Sequence, residues 1–446
     1  MRGSEGFVWG VATSSYQIEG HPLADGGGPC TWHEYAHTPG NTTRGETGDV
    51  ACDHYHRYAE DVALMARLGV GAYRFSIRWP RLLPEGTGRV NQAGIGFYDR
   101  LLDRLLAAGI TPFPTLYHWD LPVDLEARGG WRSPEMPGWF ADYAGLVARR
   151  LGDRLPYVAT LNEPWVTAVV AYLQGRLAPG QRNLFATAQA IETQILAHVD
   201  AYRALKAVRP GMQVGIVLSN AWMRPEGEGG EDRRAADRAH AFVNHPLFLD
   251  PLLRGHYPPE IEAALSAHLL RPRPLPSPGA TPPVDFVGMN YYFFDRVTAD
   301  PADWMGYRVV PHPELPETSV GWHSDPQGLH EVLRSVPARY GDLPLYVTEN
   351  GAAYEDRVTG GAVHDAERLA YLQGHVAAAL RARAAGVDLR GYFVWSLLDN
   401  YEWSLGYDKR FGIVHVDRET LARTVKDSGL WYARVCRGET VPAATT

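Results

Sequence analysis

Glu163 and Glu349 sit where chemistry is easy to do and packing is hard to satisfy. They occur in Thr160-Leu161-Asn162-Glu163-Pro164 and Val347-Thr348-Glu349-Asn350-Gly351. Each glutamate ends an apolar run that reads as a buried strand, and each is followed by turn residues, Pro164 in one case and Asn350-Gly351 in the other. A carboxylate is costly to hold in a core and well placed at a strand exit facing a cleft. Two carboxylates facing one cleft are what acid-catalysed cleavage of a sugar bond needs. They lie far apart in the chain, so only tertiary folding could bring them together.

The elements that would position them repeat one step. A helix-period segment ends in glycine and a short apolar run follows. Tyr58, Val62 and Met65 share a helix face before Gly69, then Ala72 to Ser76 reads as a strand. Phe97, Leu101 and Leu105 share another before Gly109 and the run Ile110 to Leu116. Ala201 to Val208 ends at Pro210-Gly211 before Val214 to Leu218, and Val376 to Ala385 ends at Gly386 before Tyr392 to Trp395. Glycine after the last helical turn followed by a fully apolar strand is the step of a parallel sheet covered on both faces. Strands are expected near residues 7–13, 72–76, 111–116, 157–162, 213–218, 285–290, 345–349 and 391–396. Eight such units predict an α/β fold, one (β/α)8 TIM barrel spanning 1–446 with long βα loops at its C-terminal face. A doubly wound sheet is the runner-up, but no Gly-x-Gly-x-x-Gly opens a helix after the first strand. Residues 14–54 form a long loop rich in Gly and Thr. The proline-rich stretch 271–283 reads as a stiff surface connection rather than a domain boundary.

In a barrel the strand exits line one mouth. Taken in order, the exits present Gln17 and Glu19, Arg74, Tyr117-His118-Trp119-Asp120, Asn162-Glu163, Asn220, Asn290-Tyr291-Tyr292, Glu349-Asn350, and Trp395 with Glu402-Trp403 beyond it. Hydrogen-bonding side chains mixed with large flat rings suit a hydroxylated ring with one apolar face. Each has a plainer reading alone: His118 as a satisfied core histidine, Trp395 as packing, Asn162 and Asn220 as turn or cap residues, Arg74 as an ion-pair partner. Eight polar or aromatic exits together are hard to explain by packing. No metal centre and no cofactor is expected there. His118 is the only imidazole at these exits, and neither a His-x-x-x-His pairing nor a carboxylate cluster joins it. No glycine-rich phosphate loop follows strands seven or eight.

Bulk properties exclude other classes. The 446 residues are 45% hydrophobic and 21% charged with a net charge of −8, and no basic run appears, so nucleic acid is not an expected partner. No apolar stretch is long enough for a membrane span, and no apolar leader precedes Phe7-Val8-Trp9-Gly10. Three cysteines, Cys30, Cys52 and Cys436, suit free thiols in a reducing compartment, so a cytoplasmic location is expected. Lysine occurs only at Lys206, Lys409 and Lys426, a bias that codon usage explains more simply than heat adaptation. Oligomeric state is left open.

Longer phrases carry a resemblance. Trp9-Gly10-Val11-Ala12-Thr13-Ser14-Ser15-Tyr16-Gln17-Ile18-Glu19-Gly20, Tyr73-Arg74-Phe75-Ser76, Leu116-Tyr117-His118-Trp119-Asp120, Asn162-Glu163-Pro164-Trp165, Asn290-Tyr291-Tyr292, Thr348-Glu349-Asn350-Gly351 and Trp395 through Trp403 run in family order. The chain closely resembles glycoside hydrolase family 1, the β-glucosidase group. That resemblance implies a retaining β-glycosidase acting on a small-molecule β-glucoside or cello-oligosaccharide, with Glu349 as nucleophile and Glu163 as acid/base. Arg74, Asn290 and Tyr292 would support them. Gln17, His118, Trp119, Asn162, Trp395, Glu402 and Trp403 would bind the sugar, with Trp395 as its floor. Trp165, Trp322 and, more weakly, Asn220 would line the leaving-group site. Leu177 and the sequence after Trp322 depart from the usual pattern there. A charged Glu402 facing the sugar's 4- and 6-hydroxyls would repel a 6-phosphate, favouring unphosphorylated glucosides with galactosides or fucosides tolerated. Transglycosylation by the same site, a decayed sugar-binding protein and a metal-dependent barrel enzyme are the competing readings.

Overall fold

Apolar runs bounded by glycine and proline become the strands of one closed sheet. The computed structural model describes residues 6–267, 275 and 283–439. Its barrel strands are β1 (Val8–Ala12), β2 (Ala72–Ser76), β3 (Thr111–Tyr117), β4 (Tyr157–Asn162), β5 (Gln213–Pro225), β6 (Phe286–Ala299), β7 (Leu345–Asn350) and β8 (Leu389–Trp395). They pair in parallel in chain order, and β8 pairs back onto β1, so the barrel has no edge. The surrounding helices include His54–Leu68, Gln92–Ala107, Met136–Arg150, Leu184–Val208, Pro326–Tyr340 and Ala366–Ala384. This is the expected (β/α)8 barrel. The stretch 271–283 lies outside the described residues, apart from its positions 275 and 283.

The helix faces read from spacing are the buried ones: Val62 and Met65 in the first case, Phe97, Leu101 and Leu105 in the second, with Tyr58 half-buried. Gly69, Gly109 and Gly386 follow their helices with φ of 76°, 71° and 99°, the left-handed turn that frees a helix end without a Cβ clash. Gly211 is absent from that group. Pro210 ends its helix instead, since it cannot donate the next hydrogen bond.

Two strands run longer than their apolar runs suggested. β5 and β6 continue past the barrel as a paired arm from Trp222↔Phe294 to Pro225↔Val297, and a short strand, Tyr307–Val310, pairs antiparallel with the end of β6. Buried Ala221, Met223 and Val297 pack there against Ala236 and Ala239 of the helix Gly230–Val243. Half-buried positions interrupt the buried ones along the arm, so a search for continuous apolar runs stops short of it.

An aromatic plug fills the barrel below its mouth. The Phe113 ring lies 5.1 Å from Tyr157, 5.2 Å from Phe286 and Phe393, and 5.5 Å from Tyr346, centroid to centroid. Truncating such a ring costs about 3–5 kcal/mol. Glycine leaves room for it: a Cβ on Gly10 would stand 2.4 Å from the Phe393 ring, and one on Gly215 2.5 Å from that of Phe286. With the lower barrel packed, the polar residues of the next layer up are confined to its C-terminal end. Among the described residues, no helix is long and apolar enough to cross a membrane.

Candidate active site

One hydrogen-bonded network ties five strands together at the mouth. Arg74, on β2 and 1% exposed, donates from Nη1 to Glu349 Oε1 at 2.5 Å and from Nη2 to Asn162 Oδ1 at 2.6 Å. Its Nε donates to Thr115 Oγ1 on β3 at 3.2 Å. Tyr292 OH, on β6, donates to Glu349 Oε2 at 2.5 Å. Asn290 Nδ2 donates to Glu163 Oε1 at 2.9 Å and to Asn162 Oδ1 at 3.1 Å, while Thr348 Oγ1 donates to Asn290 Oδ1 at 2.8 Å. Glu163 and Glu349 therefore share one pocket, joined through Asn290, Asn162 and Arg74. The register of the barrel produces this: Asn290 and Glu349 are paired across β6 and β7, and Arg74 sits beside Ala12 and Phe113.

Arg74 and Asn290 also orient what lies above them. A guanidinium only donates, so Asn162 must turn its oxygen toward Arg74 and its NH2 toward His118 Nε2, 3.2 Å away. His118 then carries its proton on Nδ1, which is buried and without a partner. Burial, and next the charge of Arg74, push the His118 pKa well below the ordinary histidine value, so the ring is neutral.

Three carboxyl groups crowd this space around a single guanidinium. Arg74 compensates Glu349, and the Tyr292 phenol bonds its other oxygen. Tyr292 stays protonated, because burial and then Glu349 raise its pKa well above 10.0. Glu163 is 7% exposed and is pushed up to about 8, first by burial and then by the negative charge of Glu349, against smaller lowering by Asn290 and Arg74. Glu402 is half-buried, its Oε2 is shielded and unpartnered, and burial followed by Glu349 and Glu163 raises its pKa to about 8. Burial and the neighbouring Glu349 carboxylate thus favour the protonated form at both Glu163 and Glu402. The sequence reading treated Glu402 as a charge. Burial, and next the charge of Glu349, favour its protonated form instead.

Aromatic rings close the sides. The Trp395 ring faces His118 at 5.8 Å with 22° between planes. Trp403 stacks on Tyr16 at 6.3 Å and contacts Trp32 at 4.5 Å and Trp119 at 4.7 Å. Trp119, Glu163 and Trp403 have φ of 73°, 48° and 52°, a left-handed backbone that disfavours ordinary side chains by about 1–3 kcal/mol each. Such strain persists only where surrounding contacts over-determine the conformation, and these three residues belong to the mouth.

Other expected sugar contacts are already partly engaged. Trp119 Nε1 donates to the Asn162 carbonyl at 3.1 Å, leaving its ring face as the open feature. Gln17 donates to Asn400 Oδ1 at 3.2 Å and Tyr401 O at 2.9 Å and accepts from Ser14 Oγ at 2.6 Å, so its oxygen keeps one free lone pair. At the rim, Trp165 is half-buried with Nε1 unpartnered, and Trp322 packs 5.4 Å from Tyr292 and 6.1 Å from Phe411. Leu177 is half-buried beside the Trp32, Tyr16 and Trp403 cluster. Asn220, expected at the leaving-group site, has its amide engaged by the protein at the top of β5. It is 4% exposed, donates to Leu218 O at 2.8 Å, and its oxygen accepts from His245 Nδ1 at 3.1 Å. Its amide braces the top of β5.

Sequence reasoning missed Thr115, Thr348 and Asn400 as partners of the network. Thr115 and Thr348 could have been found by alternation, as the inward-facing polar positions on otherwise apolar strands. Asn400, which bonds Gln17 across the chain, left no local signal.

The network, the proton-holding acid and the aromatic walls can now be set beside known proteins. The family model described as Glycosyl hydrolase family 1 matches residues 3–440. Beta-glucosidase A of Thermotoga maritima is 48% identical over 434 residues, covering 97% of each chain. The 1,4-beta-D-glucan glucohydrolase of Thermotoga neapolitana is 47% identical, covering 97% of this chain and 98% of that one. The solved structure of the family 1 β-glucosidase from Thermotoga maritima superposes with a TM-score of 0.94 at 47% identity, over 98% of this chain and 99% of that one. The same enzyme has been solved in complex with deoxynojirimycin. Matched in sequence and fold over nearly its whole length, the chain belongs to glycosyl hydrolase family 1.

Proposed function

We propose that this glycoside hydrolase is a retaining β-glucosidase in which Glu349 is the nucleophile and Glu163 the acid/base. The observation that carries the proposal is the division of charge between them. Glu349 is bonded by a guanidinium and a phenol, both of which favour the ionised carboxylate, while burial and the charge of Glu349 raise the Glu163 pKa to about 8 against the single amide hydrogen bond from Asn290. In the first step a Glu349 oxygen bonds to the anomeric carbon, the bond from that carbon to the leaving oxygen breaks, and Glu163 delivers its proton to that oxygen. Forming the ester removes the Glu349 charge that helped raise the Glu163 pKa, so Glu163 becomes a better acid and can act as base. In the second step it takes a proton from water as the water oxygen bonds to the anomeric carbon and the ester breaks. Two inversions leave the configuration unchanged. Direct attack requires carboxyl groups about 5–5.5 Å apart.

The sugar would lie on Trp395 between His118 and Trp403. Its hydroxyls would meet His118 Nδ1–H, the free lone pair of Gln17 and Glu402, and Asn162 would serve the 2-hydroxyl. A protonated Glu402 both donates and accepts, which suits paired 4- and 6-hydroxyls. A 6-phosphate would meet three carboxyl groups and one guanidinium already engaged, so unphosphorylated glucosides and cello-oligosaccharides are the substrates of choice. The relative from Bifidobacterium breve, 40% identical, is named a bifunctional β-D-glucosidase/β-D-fucosidase, which favours tolerance of a sugar without the 6-hydroxyl. Trp165 and Trp322 offer stacking for varied leaving groups. Free thiols at Cys30, Cys52 and Cys436 suit a cytoplasmic enzyme.

Replacing Glu349 by glycine tests the assignment. Turnover of an aryl β-glucoside is expected to vanish and to return partly with added azide or formate, azide giving the α-glycosyl azide. Full turnover without additive, or a β-glycosyl azide, would remove Glu349 from the nucleophile's role.

A further inference from the structure

The long loop after β1 carries a ligand-bearing cluster that the proposed reaction does not use. His33 and His37 lie one turn apart on the helix Thr31–His37, and Asp49 approaches from the turn before Val50. One nitrogen of each ring and a carboxylate oxygen all lie within 4.8 Å of one another. His37 Nε2 is 2.9 Å from Asp49 Oδ2, and His33 Nδ1 is 3.5 Å from Asp49 Oδ1. His33 Nδ1 and Asp49 Oδ1 are shielded from water and face each other across this gap.

The tautomer of His37 sharpens the point. Its Nδ1 lies 2.7 Å from the His33 carbonyl oxygen, which can only accept, so Nδ1 bears the proton. A cation seated between the two rings would take His37 Nε2, His33 Nδ1 and the Asp49 carboxylate as ligands, replacing the proton that otherwise joins His37 to Asp49. The backbone carbonyl behind His37 is the usual outer support of a metal-binding imidazole. Zinc bonds of about 2.0–2.1 Å in tetrahedral geometry set ligand atoms about 3.3 Å apart, between the two separations seen here. Two imidazoles and one carboxylate suit zinc, copper or nickel rather than calcium or magnesium. The neighbouring His21, Asp53 and His56 group is less suited, because the Arg57 guanidinium lies 3.3 Å from Asp53 Oδ2. Among the described residues no lysine or arginine pairs with Asp49.

We propose that His33, His37 and Asp49 form a binding site for a zinc-class divalent cation that clips the helix Thr31–His37 to the turn bearing Asp49. Both clipped segments bear on the sugar pocket from behind. Trp32 of that helix contacts Trp403 at 4.5 Å, and Gly48 lies so close to Tyr16 that a Cβ there would stand 2.8 Å from its ring. The cation braces a wall and takes no part in bond cleavage, so this inference stands independently of the catalytic assignment.

The test uses untagged, chelator-stripped full-length protein titrated with Zn2+ against a chromogenic zinc indicator. One zinc per chain is expected, uncontested by excess Mg2+ or Ca2+, with slowed amide exchange across residues 31–49. His37→Ala and Asp49→Asn, both at half-exposed side chains, should each weaken binding at least tenfold and leave zinc-free activity on an aryl glucoside unchanged. Zinc binding that is absent at 100 μM, unaltered in both variants, or lost in His21→Ala instead would overturn the site.

Discussion

Glu163→Gln isolates the proton that the proposed mechanism needs. Glutamine keeps the shape of the side chain and can still accept the 2.9 Å hydrogen bond from Asn290, so the pocket is preserved while its acid is removed. With a pKa of about 8, the wild-type group is about nine-tenths protonated at pH 7 and one-tenth at pH 9. Wild-type kcat/KM should accordingly fall tenfold per pH unit above about 8. General acid catalysis contributes about 10²–10⁴-fold, or roughly 3–5 kcal/mol, when the leaving group is a poor one such as an alcohol. The variant should lose that factor on cellobiose and on alkyl β-glucosides. On 2,4-dinitrophenyl β-glucoside, whose leaving group departs as a stable anion, the first step should be nearly unimpaired. Slow hydrolysis of the glycosyl-enzyme would then limit kcat, and azide should speed it and give the β-glycosyl azide. The assay is kcat/KM across pH 5–10 on both substrate types, with a thermal melt as a check on folding. Equal losses on both leaving groups, or an alkaline limb that survives in the variant, would refute Glu163 as the acid.

Two further perturbations probe the same charge arrangement. Tyr292→Phe removes a hydrogen bond to a buried carboxylate without leaving an orphaned donor, a loss of about 1.5–3 kcal/mol; kcat/KM should fall about 10- to 150-fold, and a change below threefold would show that the phenol is dispensable. Glu402→Gln should stabilise the fold, and increasingly so as pH rises. The folded pKa lies above the unfolded value of 4.5, so the unfolded chain ionises first and wild-type stability declines between pH 4.5 and about 8, by at most about 5 kcal/mol and less where water reaches the pocket. A melting-temperature difference between variant and wild type that stays flat from pH 5 to pH 9 would contradict a buried acid at this position.

Much of the barrel was legible because its signals are local. Glycine at 69, 109 and 386 ends helices through a backbone conformation that depends on that residue alone, and the apolar runs at 72–76 and 157–162 coincide with strands because both faces of the sheet are covered. The arm of β5 and β6 was missed because its alternating burial depends on Ala236 and Ala239, residues of another element. Spacing puts Asn220 at a strand exit, and only the fold shows that His245 occupies its oxygen.

Residue type and order determined by themselves that eight strand exits would carry polar and aromatic side chains, and that two glutamates would stand among them. Folding alone decided the protonation states. A carboxyl group titrates according to what surrounds it, and Arg74 reaches Glu349 across 275 positions of chain while, among the described residues, Glu163 accepts from the Asn290 amide and Glu402 Oε2 from no donor. The tautomer of His118, the left-handed backbone at Glu163, Trp119 and Trp403, and the meeting of His33 and His37 with Asp49 are equally tertiary. Each depends on distances between atoms that sequence leaves undefined, and electrostatic interaction falls off with distance and with access of water.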